Sequence, residues 1–280
     1  MSRTVPSPRP TQPSGLFERL ATTLLWSVTI GVSALLLAGL GAIVWLGLPQ
    51  LTPSFLFGAP TEIGAGGGIG PQLYNTALLA VIATLITAPL GIATGIWLER
   101  LAPPTRGVAA LRFLVDTMAA LPSIVVGMFG FVVFVVALGW GFSRLGAALT
   151  LAVVNLPFVV RATQAALERV PPALEEAAFS LGATRWQTLR DVTLPTAAPS
   201  LASTLVLAVG RVFAESAPLI FTAGVGSSSS TLAVHVWYVQ SESLVPDAAA
   251  VAAGASLVLV LAVSVLQLLA DRLSRPEGRP

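Results

Sequence analysis

Cysteine is absent from this sequence, so no disulfide framework, thiolate metal site or cysteine nucleophile is available, and cysteine usage carries no information about compartment. Lysine is absent too: all 15 cationic side chains are arginine. A Walker A loop needs a lysine to reach the β- and γ-phosphates, so the glycine-rich run from Gly64 to Gly70 is not a P-loop. Any work with ATP would fall to another chain. There is one histidine, His235, and no paired aspartates flank Asp116, which leaves an intramembrane protease without its catalytic residues. No cofactor and no metal ligand set is expected. Charge is scarce as well, at 10% of residues against roughly 25% in soluble domains. Hydrophobic residues make up 55% of the 280, and the mean hydropathy of +0.84 makes this a membrane protein. The pI near 9.9 could suggest a nucleic-acid partner, but the arginines lie beside apolar spans and are read as topology signals.

What the sequence has in quantity is long apolar runs. Met1 to Gly15 is rich in serine and proline and reads as a disordered tail, taken to residue 20 as a domain boundary. Leu24–Leu48 is too long for a signal-peptide core and is the first span. Further spans follow at Asn75–Leu98, Arg112–Leu138 (kinked at Pro122), Leu145 to about Val160 or Leu167, Pro199–Ala223 and Ala248–Ala270. The fourth carries its own Asn155-Leu156-Pro157 break. Polar loops are expected at Pro49–Gln72 and Gly224–Asp247. With the N-terminus inside, all arginines except Arg144 and Arg211 fall in inner segments, which is the positive-inside pattern. The expectation is an all-α, polytopic membrane protein with six transmembrane helices and both termini cytoplasmic. Its permease-like body spans 21–272 and its C-terminal tail 273–280.

Between the fourth and fifth spans lies a charged island, 168–195. Pro171-Pro172 sets its entry. Leu174, Ala177, Ala178 and Leu181 then recur at i, i+3, i+4 and i+7 as one apolar stripe, with Phe179 opposite. Gly182 stands where a helix stops in a left-handed turn, and Thr184 with Gln187 reads as a capping box for a second helix ending before Pro195. Glu176-Ala177-Ala178, Gly182, Val192 and Leu194-Pro195 have the spacing of the E-A-A…G…I-x-L-P loop of ABC importer membrane subunits, which this chain resembles, with valine in the isoleucine place. The resemblance implies a type I ABC importer permease fold. It also implies that the loop is the cytoplasmic coupling helix, whose Glu175, Glu176, Ala177, Ala178, Phe179 and Gly182 dock on an ATP-binding subunit.

Arg211 sits near the middle of the fifth span, with Glu215 one turn later on the same face. Arginine at the bilayer centre costs at least about 2.5–3.5 kcal/mol, so it needs a partner or a polar cavity. Thr204 and Thr222 extend this face into a polar stripe. A salt bridge that merely packs helices is one reading; a pathway for an anion, matched by the guanidinium fork, is the sharper one. The segment Gly210-Arg211-Val212-Phe213-Ala214-Glu215-Ser216-Ala217-Pro218-Leu219-Ile220-Phe221-Thr222-Ala223 resembles that of PstA-type permeases of phosphate ABC importers, with Ala214 and Ser216 in its usual glycine and threonine places. Gly67 to Pro71, Leu121 to Gly127 and Glu176 to Thr184 match the same subfamily. The resemblance implies a non-enzymatic permease half in the bacterial inner membrane, with Arg211 and Glu215 in phosphate translocation. Its implied partners are two ATP-binding subunits, a homologous second permease, an extracytoplasmic phosphate-binding protein, membrane lipid and inorganic phosphate. Alternatives are a permease for another oxyanion such as sulfate or molybdate, the sister phosphate permease, and a proton-coupled carrier using Glu215.

Overall fold

The structure is a computed structural model that describes residues 15–61, 65–242 and 245–274; the segments expected as tails at 1–14 and 275–280 lie outside them. The described residues are helical with short connections. In chain order the α-helices are α1 (Gly15–Gly47), α2 (Pro53–Phe57), α3 (Gly70–Ile96), α4 (Arg106–Ala120), α5 (Ser123–Gly130) and α6 (Arg144–Glu168). Then come α7 (Pro172–Ser180), α8 (Arg185–Thr188), α9 (Leu194–Ala214), α10 (Ala217–Thr222), α11 (Leu232–Ser241) and α12 (Ala248–Ser274). Side-chain hydroxyls open five of them: Thr52, Thr105, Ser143, Thr184 and Thr231 each accept a bond from a backbone N–H of the first turn.

Five helical stretches are long and apolar enough to cross a membrane, and α4 with α5 supplies a sixth as a bent pair. The centre of the bundle is α3 against α6, with α9 crossing both and α12 lying along α9. Close approach there depends on missing side chains. A Cβ on Gly91 would lie 2.7 Å from Val159 Cγ1, and one on Gly95 2.7 Å from Thr163 Cβ, so the glycine pair one turn apart lets α3 and α6 touch by their backbones. Above them Leu79, Ala80, Ala83, Ala147, Leu151, Val212 and Leu219 form the core. Helix α1 packs mainly on α12, and its other faces carry exposed Leu35, Leu37 and Trp45. Such a surface suits lipid.

Several boundaries differ from the sequence reading. Helix α1 starts at Gly15, inside the stretch expected as tail to residue 20. The kink expected at Pro122 is a break: Leu121 (ψ 134°) and Pro122 (φ −58°, ψ 131°) both leave helical geometry, and α4 and α5 meet at 99°. By contrast Pro157 does not interrupt α6. It is buried against neighbours, and in a packed membrane helix adjoining groups compensate for a lost backbone bond. The helix opened by Thr184 does not end before Pro195 either. A wide π-helical turn, Leu189–Thr193, carries it straight into α9, where proline occupies a first-turn position that needs no N–H. The expected fifth span is two helices, because Pro218 cannot follow Ala214 in an unbroken helix without clashing with its carbonyl. Glu215 (ψ 125°) and Ser216 form the joint. The outer loop of 224–247 contains α11.

The ends group by side. Arg144, the one arginine expected outside, donates from Nε to Asn75 Oδ1 at 2.8 Å, while Asn75 Nδ2 donates to the carbonyls of Ser228 and Ser230, both at 2.9 Å. This ties α3, α6 and the α10–α11 connection at one face. At the opposite face Arg100, Arg112 and the α7–α8 loop come together.

Candidate functional site

Arg211 projects from the last turn of α9 into a cavity of about 280 Å³ lined by Leu121, Ser123, Val126, Pro157, Phe158 and Arg161, among others. The α4–α5 break opens one wall of that cavity, and α6 forms another. The Arg211 guanidinium lies 5.5 Å from the centroid of the Phe158 ring, an orientation in which the ring face attracts the cation without neutralising it.

The expected partnership with Glu215 is not formed. The ion pairs among the described residues are Arg100–Glu175, Arg112–Glu99, Arg161–Asp116 and Arg190–Asp191; Arg211 takes part in none. Helix α9 ends at Ala214, so Glu215 leaves the register that would have stacked it one turn beyond Arg211. The threonine stripe is not assembled either. Thr222 is fully buried in the core, where its Oγ1 donates to Pro218 O at 3.2 Å and its methyl group faces Gly130. Thr204 is buried within α9, and neither threonine lines the Arg211 cavity.

In their place the cavity contains Phe158 and Arg161, which the sequence reading counted only as span and topology residues. A signal was present: Val154, Pro157, Phe158 and Arg161 recur at i, i+3, i+4 and i+7, an α6 face that ends in a cation.

The 168–195 loop has the expected grammar. Gly182 has φ +85°, in the left-handed region where only glycine is cheap. Gln187 N donates to Thr184 Oγ1, and Thr184 N to Gln187 Oε1 at 2.8 Å, completing the capping box. The apolar stripe is not buried as a stripe. Ala178 packs inward, but Leu174 and Ala177 are exposed and Leu181 is 90% exposed. Glu176 faces outward as well, and Phe179 is 47% exposed. Glu175 is turned the other way. Its carboxylate lies 3.2 Å from Arg100 Nε and accepts from Thr193 Oγ1 at 2.9 Å, while Arg100 Nη2 donates to Leu167 O at 2.8 Å. Glu175 therefore fastens α7 to the ends of α3 and α6 and offers no free charge to a partner.

On the opposite face, His235 of α11 is buried beside a second cavity that also holds Tyr238, Glu242 and Asp247. Burial pushes its pKa below the ordinary 6.5.

Residues 91–275 match the family described as the binding-protein-dependent transport system inner membrane component. Among similar proteins, the probable ABC transporter permease protein YqgI of Bacillus subtilis is 38% identical over 274 residues, 90% of this chain and 93% of that one. The phosphate transport system permease protein PstA 2 of Mycobacterium bovis is 32% identical over 239 residues, 82% and 77% of the two chains. Two solved structures share the fold. A bacterial ABC transporter importing the acidic polysaccharide alginate gives a TM-score of 0.65 at 19% identity, covering 94% of this chain and 96% of that one. The inward-facing methionine ABC transporter MetNI gives 0.61 at 23% identity, covering 74% and 95%.

Proposed function

Because this chain belongs to the binding-protein-dependent transport system inner membrane components, we propose that it is the phosphate-conducting permease half of an ATP-driven importer. Membership makes it a multi-pass permease of the bacterial inner membrane, not an enzyme, working with an ATPase and a substrate-binding protein. The finer reading is that the cargo is inorganic phosphate and that a homologous second permease completes the path. The complex contains two ATP-binding subunits, one of which seats on this chain's coupling loop. Similarity to PstA proteins supports phosphate, and Arg211 is the observation that carries it: a permanent cation in a cavity, with no carboxylate among the described residues within ion-pair distance.

A guanidinium so placed can take an oxyanion by two parallel N–H···O bonds, which carboxylate or phosphate oxygens match and a cationic or neutral solute does not. Phe158 holds the side chain over the path without competing for its donors. Glu215 stands at the α9–α10 joint beyond Arg211 and does not line the cavity; Thr204 and Thr222 are buried packing residues. On the inner side, Glu176, Ala177, Phe179 and the turn at Gly182 form the surface offered to the ATP-binding subunit, and Glu175 with Ala178 holds that surface in place.

The test is uptake of radiolabelled phosphate by the assembled complex in vesicles, with sulfate and molybdate as competitors. Phosphate uptake blocked only by excess phosphate supports the reading; uptake of sulfate or molybdate in preference to phosphate replaces the cargo while leaving the permease assignment intact.

A further inference from the structure

Arg161 is the second cation of the Arg211 cavity, and it stands at a junction. It lines that cavity from below and also lines a separate one of about 270 Å³, on the arginine-rich side, with Arg112, Asp116, Gln164 and Glu168. On α6 it lies three residues past Phe158, one helical turn closer to the cytoplasmic end on the same face. Arg211, Phe158 and Arg161 thus mark successive levels of one path.

Unlike Arg211, Arg161 is engaged: its Nη2 meets Asp116 Oδ1 of α4 in an ion pair. Both side chains are about half exposed, at 51% and 53%, so water and salt reach the pair. An ion pair that only fastens α4 to α6 needs no cavity on either side of it. Here Arg161 borders two cavities and Asp116 the lower of them, and the carboxylate presents to the guanidinium a pair of oxygens as a phosphate does.

We propose that Asp116 holds on Arg161 the place the transported oxyanion takes in passing. The anion leaving Arg211 displaces the Asp116 carboxylate from the Arg161 fork. The carboxylate then returns and expels the anion into the lower cavity, where Glu168 repels it and Arg112, close to Glu99, is already partly engaged. Asp116 is therefore a positioning residue for release, acting through Arg161. The inference rests on the anion pathway proposed above, and its test is built so that the two fail separately.

The experiment uses the whole importer reconstituted in vesicles with its binding protein and radiolabelled inorganic phosphate. In Asp116→Asn the fork is never reclaimed, so phosphate lingers. Maximal uptake should fall about tenfold, and phosphate preloaded on the ATPase side should inhibit at a concentration about fivefold lower than in wild type. Asp116→Glu should retain wild-type behaviour. The exchange variant Asp116→Arg/Arg161→Asp restores an ion pair with its partners reversed, and by this account it assembles but stays inactive. Uptake by the exchange variant within about twofold of wild type, or Asp116→Asn with unchanged product inhibition, would show a plain clasp and overturn the inference. If the wild-type complex carries another oxyanion, the phosphate reading falls, and the same variants assayed with that ion decide the role of Asp116.

Discussion

Arg100 and Arg211 are the same side chain on helical elements of the same bundle, and the structure treats them in opposite ways. Arg100, in the π-helical turn that ends α3, is ion-paired with the Glu175 carboxylate and donates from Nη2 to the Leu167 carbonyl, and its side chain is only 25% exposed. Arg211 has a ring face beside it, an open cavity in front of it and, among the described residues, no carboxylate within ion-pair distance. A cation whose charge is met by a carboxylate of its own chain is part of the frame. One kept in the bilayer region with its donors free carries a cost of about 2.5–3.5 kcal/mol that the fold alone does not explain. In the proposed function, the difference separates a coupling end held rigid from a path that takes a ligand.

The largest expected effect follows from the idle arginine. Arg211→Leu should reduce phosphate uptake about a hundredfold or more while leaving assembly intact, because it removes a permanent cation and no structural contact but the one with Phe158. Arg211→Lys should fall in between, about tenfold down, since a point charge keeps the field but not the fork. Uptake normalised to assembled complex in membranes is the readout.

Next is the loop. Gly182→Val forces a β-branched residue into φ +85°, at a local cost of about 1–2 kcal/mol or more, and should abolish co-purification with the ATP-binding subunit while the protein still reaches the membrane. Nothing lies within 4 Å of a Cβ at this position, so a loss would report the backbone turn and not a clash.

Smaller still is the contrast between neighbouring carboxylates. Glu175→Ala strips Arg100 and Thr193 of their partner and should lower the melting temperature of the detergent-solubilised chain, at a cost of about 1–2 kcal/mol; Glu176→Ala, exposed, should leave it unchanged. Equal shifts would erase the distinction between frame and docking surface.

How much of this was legible in the sequence divides along a physical line. The apolar runs, the arginine asymmetry, the Gly182 turn and the Thr184–Gln187 cap depend on residues close together in the chain, and local chemistry is enough to read them. The site is different. Placing Glu215 one turn beyond Arg211 assumed that α9 continues to Ala223, whereas Pro218 ends it at Ala214. Prolines themselves carry no fixed outcome: Pro122 breaks a span and Pro157 does not, because α6 is gripped by α3 and α9 and can lose a backbone bond without unwinding. The Arg161–Asp116 and Arg100–Glu175 partnerships link distant segments, and no spacing rule reaches them.

The smallest effect concerns pH. His235 is held neutral by burial, so its folded-state pKa lies below the unfolded 6.5. Above that value both states are neutral and the residue contributes no pH dependence. As pH falls below it the unfolded chain gains a proton that the folded chain resists, and stability drops. Melting of the purified chain should therefore show a small loss between neutral pH and about pH 5, and His235→Leu should reduce that loss.

The central claim, that Arg211 serves an anion and not a neighbouring carboxylate, is tested most directly by phosphate uptake in the Arg211→Leu/Glu215→Leu double variant beside its two single parents, each normalised to assembled complex. The account predicts that the double variant is as inactive as Arg211→Leu, and that Glu215→Leu alone retains more activity than either. Near-normal uptake by the double variant would mean that the two charges only neutralise each other, and would contradict it.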